Sequence, residues 1–533
     1  MLNSNNPIIL RMCAVEVKNC SLHEPRRLDY SCNNVHYPSR GTSFTPFYRL
    51  LPPVYSTNGG LPTTKAGTPL PNARALRVAL VPDGRVPSEK HTHLLTNMFA
   101  AITSDTTSVH DAANYVLVTR TCCLPGGQLD PRCMPIRIPD DDVHLRRSNV
   151  RCMNLTRQIT YQRLGCVPDT IPPARMSLTT PMIDLSIVYG AEEATMNSGR
   201  ERWGGRLIAE KLKGKDWPRG DGTICLQNNL NETRCHNSPS MFVNSLLSTN
   251  LFNLWFMRQH NYMAEKLAKL NPCWDDDKLF AVTRDINIAI WQHIMYYDLM
   301  PNVVDGIGSL GHDPPRGPSA DWWVLTTADA AGTNGLTCLP KHGEARNSIM
   351  GERAVGRLQT AFDVVAVDIM KARDNGLPSY NRYRELCKLP VAHDFEDFYK
   401  WLPKDQAEAI QMLYEDVDDV EVMAGLLAER PMGAGVVGPT HACIIADQML
   451  RWRRADRFWY EHSAHPAALT PAPNRYCWAQ TFLMDGIGRL SHDPLRGAIC
   501  RLASAKRLQY AAEQSMAQVV SGVRLRSFEV KQL

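Results

Sequence analysis

Residues 175–200 read RMSLTTPMIDLSIVYGAEEATMNSGR, and the oxygen-bearing side chains inside them organise the reading of the whole chain. Thr180, Asp184 and Ser186 alternate with apolar residues ahead of a Val188-Tyr189-Gly190 turn. Hard cations such as calcium take several oxygens from carboxylates, hydroxyls and main-chain carbonyls. A T-x-x-x-D-x-S loop offers three side-chain oxygens and at least one carbonyl. The same residue types also make ordinary Asp/Ser turns, so the loop needs support from elsewhere in the chain.

Around this loop lie 533 residues, 44% hydrophobic and 21% charged, ordinary for a soluble globular protein with ample material for a core. The net charge is +5 and no basic run reaches five residues, which argues against nucleic-acid binding. No stretch is long and apolar enough to span a membrane. Sixteen cysteines without a CxxC pair argue against zinc ribbons and thioredoxin-like chemistry. With N-x-S/T sequons at Asn19, Asn154 and Asn231, they read as a secreted, disulfide-bearing glycoprotein. The opening MLNSNNPIILRMCAVEVKNC lacks the apolar run of a signal peptide; the expectation is an N-terminus that is incomplete or processed.

Taken in order, residues 13–75 are irregular and rich in Pro, Asn, Ser and Gly, and residues 90–103 read as a short helix. From Cys122 to Cys166 the chain is loop-like again. Helical patterns then cover 240–270, ending at Asn271-Pro272, and 350–373, closed by Asn375-Gly376. Between them, Leu279, Val282, Ile286, Ile290, His293 and Tyr297 share one apolar helical face. Little alternates with strand period, so the chain reads as mainly α with long loops. One echo stands out: DGIGSLGHDPPRG (305–317) recurs as DGIGRLSHDPLRG (485–497), with ten of thirteen positions identical. Gly and Pro make both copies loops, and their His-Asp pairs read as exposed turns rather than ligands.

Eight ordered segments resemble the animal haem peroxidases. They are DYSCNNVHYP (29–38), YRLLPPVY (48–55), CMPIRIPDDD (133–142), MIDLSIVYGAEEATMNSGR (182–200), FMRQHNYMAEKLAKLNPCW (256–274), ARDNGLPSYNRYRELCKLP (372–390), VDDVEVMAGLLAERP (417–431) and DRFWYE (456–461). The resemblance implies a large, mostly helical domain over residues 20–461. An irregular segment, 1–19, precedes it and a divergent one, 462–533, follows. It also implies haem, with a proximal histidine on the iron and a distal histidine and arginine that handle hydrogen peroxide while a small reductant is oxidised. The distal histidine moves a proton between peroxide oxygens, which suits a group titrating near neutrality.

The haem-site positions carry other residues here. The family's W-G-Q-F-x-D-H-D pattern falls on Met98–Asp105, counted back from Cys122-Cys123. The distal histidine position is then Ser104, the haem-ester aspartate position is Thr103, the glutamine position is Ala100, and Asp105 alone matches, as a calcium ligand. A register using His110-Asp111 breaks the spacing to Cys122. On the proximal side the family's T-A-A-F-R-F-G-H falls on 327–334, which puts Asn334 at the iron-ligand position and Ala331 at that of the adjoining arginine; His342 is the nearby substitute. Asn381 matches the asparagine that bonds the proximal imidazole. The distal arginine corresponds to Arg234 in NETR, and Asn237 stands where a second ester glutamate would.

By contrast, Asp105, Thr180, the Met182 carbonyl, Asp184 and Ser186 all fall on the family's calcium positions. The disulfides implied are Cys20–Cys32, Cys387–Cys443, and Cys122 and Cys123 with Cys133 and Cys152 in an order left open; Cys225–Cys235 and Cys477–Cys500 follow from proximity alone. The expectation is therefore a secreted peroxidase-fold protein that has lost its haem chemistry, keeps its calcium, and binds an extracellular protein or matrix partner. The competing expectation is a working haem peroxidase built on His110 and His342.

Overall fold

The structure, a computed structural model, describes residues 19–22, 24–81, 93–107, 122–142, 145, 150–158, 160, 173–222, 235–240, 243–244, 247–304, 353–355, 358–360 and 363–462. Helices carry the architecture. In chain order the longer ones are α1 (Ala73–Leu80), α2 (His93–Thr106), α3 (Leu247–Leu270), α4 (Asp276–His293), α5 (Val364–Asp374), α6 (Tyr380–Leu386), α7 (Lys404–Leu413), α8 (Val422–Ala428) and α9 (Pro439–Ala455). Strands among the described residues are short antiparallel pairs: β1 (Ile136–Arg137) with β2 (Cys152–Met153), β3 (Glu210–Leu212) with β4 (Lys215–Trp217), and β5 (Arg353–Val355) with β6 (Leu358–Thr360).

Local chemistry explains where several helices begin. The Asn72 side chain accepts from the backbone N–H of Arg74 and Ala75 at the start of α1. Asp275 caps α4 by accepting from Lys278 N–H, and Asp276 and Asp277 place negative charge in the first turn, against the helix dipole. Asp363 caps α5 through Ala366 N–H, and Pro439 opens α9.

The apolar residues gather in two cores. One, built by α1, α5, α6, α7 and α8, holds Leu76, Ile369, Tyr383, Phe398, Ile410 and Met423. The other is built by α2, the 182–189 segment, α3, α4 and α9 and holds Phe99, Ile183, Phe252, Ile288, Trp291 and Trp452. α9 serves both, with Ile444 in the first and Ile445 and Met449 in the second. Buried ion pairs join distant segments. Asp374 receives Arg175 and Arg157, each at 2.6 Å, and Arg74 reaches Asp142 at 2.6 Å and Asp363 at 2.5 Å.

Three expectations from sequence change here. The pattern over 350–373 is not one helix: the β5–β6 pair precedes α5, and only Gly356-Arg357 separates the two strands in sequence, a two-residue hairpin spacing. The first long helix is described from Leu247 rather than from residue 240. The apolar face assigned to α4 is only partly its core face. Ile290 packs against the second core, Leu279 and Val282 are buried with Leu267 in a small side cluster against which Ile286 packs, and Tyr297 is 45% exposed. The face turned to the core carries Thr283, Arg284, Asn287, Ile288 and Trp291. Its polar members are buried with hydrogen bonds on the Thr283 hydroxyl, Arg284 Nη1 and the Asn287 amide nitrogen, while Arg284 Nε and Asn287 Oδ1 make none. Past His293 the helix widens into a π-helical stretch, Ile294–Leu299, which shifts the register further.

The disulfides follow the implied set. Cys20–Cys32 and Cys387–Cys443 are formed, and the open order resolves as Cys122–Cys133 and Cys123–Cys152. Cys235 is disulfide-bonded, while its expected partner Cys225 and the Cys477–Cys500 pair lie outside the described residues.

Candidate functional site

The site grows from the last turn of α2. Phe99 and Ile102 bury the helix against the second core, and this carries Asp105 to the 184–187 loop. Leu185 adopts φ +58°, a left-handed conformation that costs about 1–2 kcal/mol outside glycine. That geometry turns successive N–H groups inward. Leu185 N–H donates to Asp105 Oδ2 and Ile187 N–H to Asp105 Oδ1, each at 3.2 Å, and Ser186 N–H donates to Asp184 Oδ1 at 3.1 Å. The Ser186 hydroxyl donates to the Asp105 main-chain oxygen at 2.6 Å, and the Trp291 indole of α4 donates to Asp105 Oδ2 at 2.9 Å.

Both carboxylates are out of water, Asp105 fully and Asp184 to 1% exposure. Burial pushes Asp105 up to about 6 despite its donors. Asp184 is pushed up to about 7, by burial first and then by the charge of Asp105. Thr180 is fully buried and its hydroxyl helps lower Asp184, though no regular hydrogen bond satisfies its oxygen. Arg284 and Arg26 also face this charge; Arg26 reaches Asp285 at 3.4 Å and Asp456 at 3.8 Å and donates to Tyr30 Oη at 2.7 Å. Two buried carboxylates beside the buried Thr180 hydroxyl fit a hard cation. Met182 is wholly buried in the same loop, whose frame is fixed from outside: Trp452 donates to Pro181 O at 2.8 Å and Gln292 to Ile183 O at 3.0 Å.

One residue before Asp105, the Ser104 hydroxyl donates to Ala100 O at 2.9 Å and lies 3.0 Å from Thr249 Oγ1 of α3. An aliphatic alcohol held between a helix carbonyl and a threonine does not titrate near neutrality, so this position does not fit proton transfer to peroxide. Asn381 donates to Ala392 O and Asp418 Oδ1, each at 2.9 Å, and accepts from Ala392 N–H at 3.0 Å, which ties α6 to its neighbouring loop. Arg234, Asn334, Asn231, His110 and His342 lie outside the described residues. Of the other sequons, Asn19 is exposed, and Asn154 is half-buried with its amide oxygen accepting from Cys122 N–H at 3.1 Å.

A histidine not weighed from sequence sits deeper in the same core. His260 of α3 is fully buried, its Nε2–H donating to Gly205 O and its Nδ1 accepting from Tyr189 Oη, both at 2.8 Å. Asn287 of α4 donates in turn to Tyr189 Oη at 2.9 Å. Burial first, then nearby arginines, push His260 down to about 4, so it stays neutral and structural. Its signal was the polar pair His260-Asn261 on an otherwise apolar helix face, but Tyr189 and Gly205 come from distant loops that periodicity does not reach.

The family pattern described as animal haem peroxidase matches residues 25–327 and 342–481. The chain belongs to the animal haem peroxidase family. The match runs past Glu461 and omits 328–341, the stretch that contains Asn334. Among similar proteins, Peroxidase of Drosophila melanogaster is 26% identical over 86% of this chain and 76% of its own length. Chorion peroxidase of the same organism is 28% identical over 84% of this chain and 63% of its own. The human peroxidasin homolog is 28% identical over 86% of this chain, which spans 36% of that longer protein. In three dimensions the chain resembles peroxidase A from Dictyostelium discoideum, with TM-score 0.66, 20% identity, and coverage of 88% of this chain and 98% of that one. A fatty acid alpha-dioxygenase of Arabidopsis thaliana shares the fold at TM-score 0.63 and 14% identity, over 93% of this chain and 81% of that one. Membership implies haem as the family's cofactor, with hydrogen peroxide and a reductant as its substrates. Among the described residues no helix is long and apolar enough to cross a membrane.

Proposed function

We propose that this chain is a secreted, calcium-stabilised member of the family in which the peroxidase scaffold acts as a binding protein, for a matrix or cell-surface partner, with its haem chemistry impaired. The observation that carries the reading is the seat of Asp105 in the 184–187 loop. Asp105 accepts there from Leu185 and Ile187 N–H, which supports the calcium-ligand role expected of it, and the preceding Ser104, the residue expected at the distal histidine position, is bonded to α3. Asp105, Thr180, the Met182 carbonyl, Asp184 and Ser186 hold the cation, which binds the end of α2 to the loop and supports folding without any catalytic step. Support for secretion comes from four disulfides among the described residues, a pattern of oxidising compartments.

A second reading keeps the enzyme. The family match resumes at His342, eight positions past Asn334, which favours that residue as a displaced iron ligand with His110 opposite it. The family's chemistry is then peroxide-dependent oxidation of a small reductant.

One experiment separates the two: the absorption spectrum of chain expressed with haem available, read beside circular dichroism and calcium content. The binding-protein reading expects folded, calcium-loaded chain with no Soret band through purification. A stoichiometric band lost in His342→Ala or His110→Ala overturns it. In the same preparation Ser104→Ala leaves any peroxide turnover unchanged if Ser104 moves no proton.

A further inference from the structure

The π-helical stretch after α4 presents a tyrosine in an unusual setting. Tyr297 is 45% exposed, and its hydroxyl donates to Glu461 Oε1 at 2.5 Å. Glu461 is itself 9% exposed and is fixed from its other oxygen by the Trp459 indole at 2.9 Å and Arg453 at 3.1 Å. The ring of Tyr297 stacks on His293, with centroids 4.9 Å apart and planes at 35°. His293 shares a hydrogen bond with Tyr460 Oη at 2.9 Å and burial lowers its pKa; among the described residues the cation whose charge reaches Tyr297 is Arg453, which is ion-paired with Glu461. Phenol, carboxylate and neutral imidazole thus meet at a surface.

Other exposed tyrosines among the described residues are arranged the opposite way. Tyr37, 46% exposed, lies under the Arg40 guanidinium at 4.6 Å. Tyr48, 39% exposed, lies under Arg451 at 5.2 Å, and Tyr262, 48% exposed, under Lys266 at 5.3 Å. A cation over the ring face is attracted to its electron density, and it opposes the loss of an electron from that ring. A carboxylate on the hydroxyl does the reverse, because it takes up the proton that a phenol must shed as the electron leaves. The interior neighbour Tyr296 is buried under Arg453 at 5.9 Å, so the favourable position ends at Tyr297.

We propose that Tyr297 is a one-electron oxidation site, with Glu461 as its proton acceptor, at which this chain becomes covalently coupled to a second phenol. The electron passes to an outer-sphere one-electron oxidant, the Tyr297 O–H bond breaks, and the proton goes to Glu461 Oε1. Two phenoxyl radicals then form one carbon–carbon bond between ring positions ortho to the oxygens. Each ring hydrogen moves to its phenol oxygen as aromaticity returns. For each coupling two phenols, two oxidant equivalents and two released protons balance. The proposal does not depend on haem binding to this chain.

The test treats the full chain with hexachloroiridate(IV), reduced to the iridium(III) ion, in the presence of N-acetyltyrosine. Dityrosine fluorescence follows the coupling and peptide mapping locates it. The expected result is coupling at Tyr297 ahead of Tyr37, Tyr48 and Tyr262, with that product lost in Tyr297→Phe. Glu461→Gln keeps a hydrogen-bond acceptor but takes up no proton, and should slow Tyr297 to the pace of the other three while leaving theirs unchanged. In unmodified chain the Tyr297 reaction should slow in heavy water, a readout that needs no variant. Consumption of Tyr297 no faster than Tyr262, or a rate untouched both by Glu461→Gln and by heavy water, overturns the assignment.

Discussion

Asp105 of α2 and Asp184 of the following loop share one serine: Ser186 donates its N–H to Asp184 Oδ1 at 3.1 Å, while its hydroxyl donates to the Asp105 main-chain oxygen at 2.6 Å and lies 3.1 Å from Asp105 Oδ1. A single residue therefore holds two buried carboxylates together, and each carboxylate makes the other harder to ionise. Such a pair is stable when something positive joins it.

Chelation should therefore destabilise the chain. A cation held at a thousand times its Kd adds about 4 kcal/mol to folding, and its removal lowers the melting temperature in proportion. Protons compete for the same oxygens. Both folded pKa values, about 6 and about 7, lie above the ordinary carboxylate value, so cation affinity weakens as pH falls through 7 and then 6. The metal-free chain does the opposite and gains stability over that descent, because its folded state binds the extra protons. Melting curves with calcium and with chelator, at several pH values, read both trends. Asp184→Asn should abolish the difference between the two buffers.

Trp291→Phe removes the indole donor to Asp105 while keeping most of the buried ring area. A hydrogen bond to a charged group is worth roughly 1.5–3 kcal/mol, and the loss should appear in urea midpoints. If the cation neutralises Asp105, the loss is larger in chelator than in calcium.

His260 makes the second core sensitive to acid. Its folded pKa, about 4, lies below the ordinary value of 6.5, so the unfolded state binds more protons between the two. Its stabilising effect is complete above pH 6.5 and is lost as pH falls towards 4, an effect of about 3 kcal/mol at most. Urea midpoints in saturating calcium, where the carboxylate pair stays ionised, isolate this slope.

Gly205 accepts the His260 hydrogen bond from a backbone at φ +69°. A Cβ there would lie 2.7 Å from Phe280 N, so the clash is with α4 backbone rather than a movable side chain. Gly205→Ala should cost at least about 1–2 kcal/mol from the left-handed conformation alone. Thermal unfolding measures it, and a neutral result would mean that the 201–207 turn can move away from α4.

Much of this protein was legible in its sequence because the deciding residues are close in the chain. The loop proposed to hold a cation compresses Thr180, Met182, Asp184 and Ser186 into seven positions, and the helix carrying Asp105 is set by its own residues. The cysteines of the formed disulfides were legible too, as was the mainly helical class. Tertiary structure alone decided the rest. It chose Cys133 for Cys122 and Cys152 for Cys123, since adjacent cysteines are equivalent until the chain turns. It also buried the Thr283, Arg284 and Asn287 face of α4 against the reading of hydropathy. Tyr189 Oη and Phe256 O accept from the Asn287 amide and Arg26 O accepts from Arg284, and no count of apolar residues within one helix contains those partners. Tyr297 gained its carboxylate from Glu461, 164 residues on. Hydropathy and spacing act within a few turns of chain, whereas the cost of burying a polar group depends on which partner the fold brings to it.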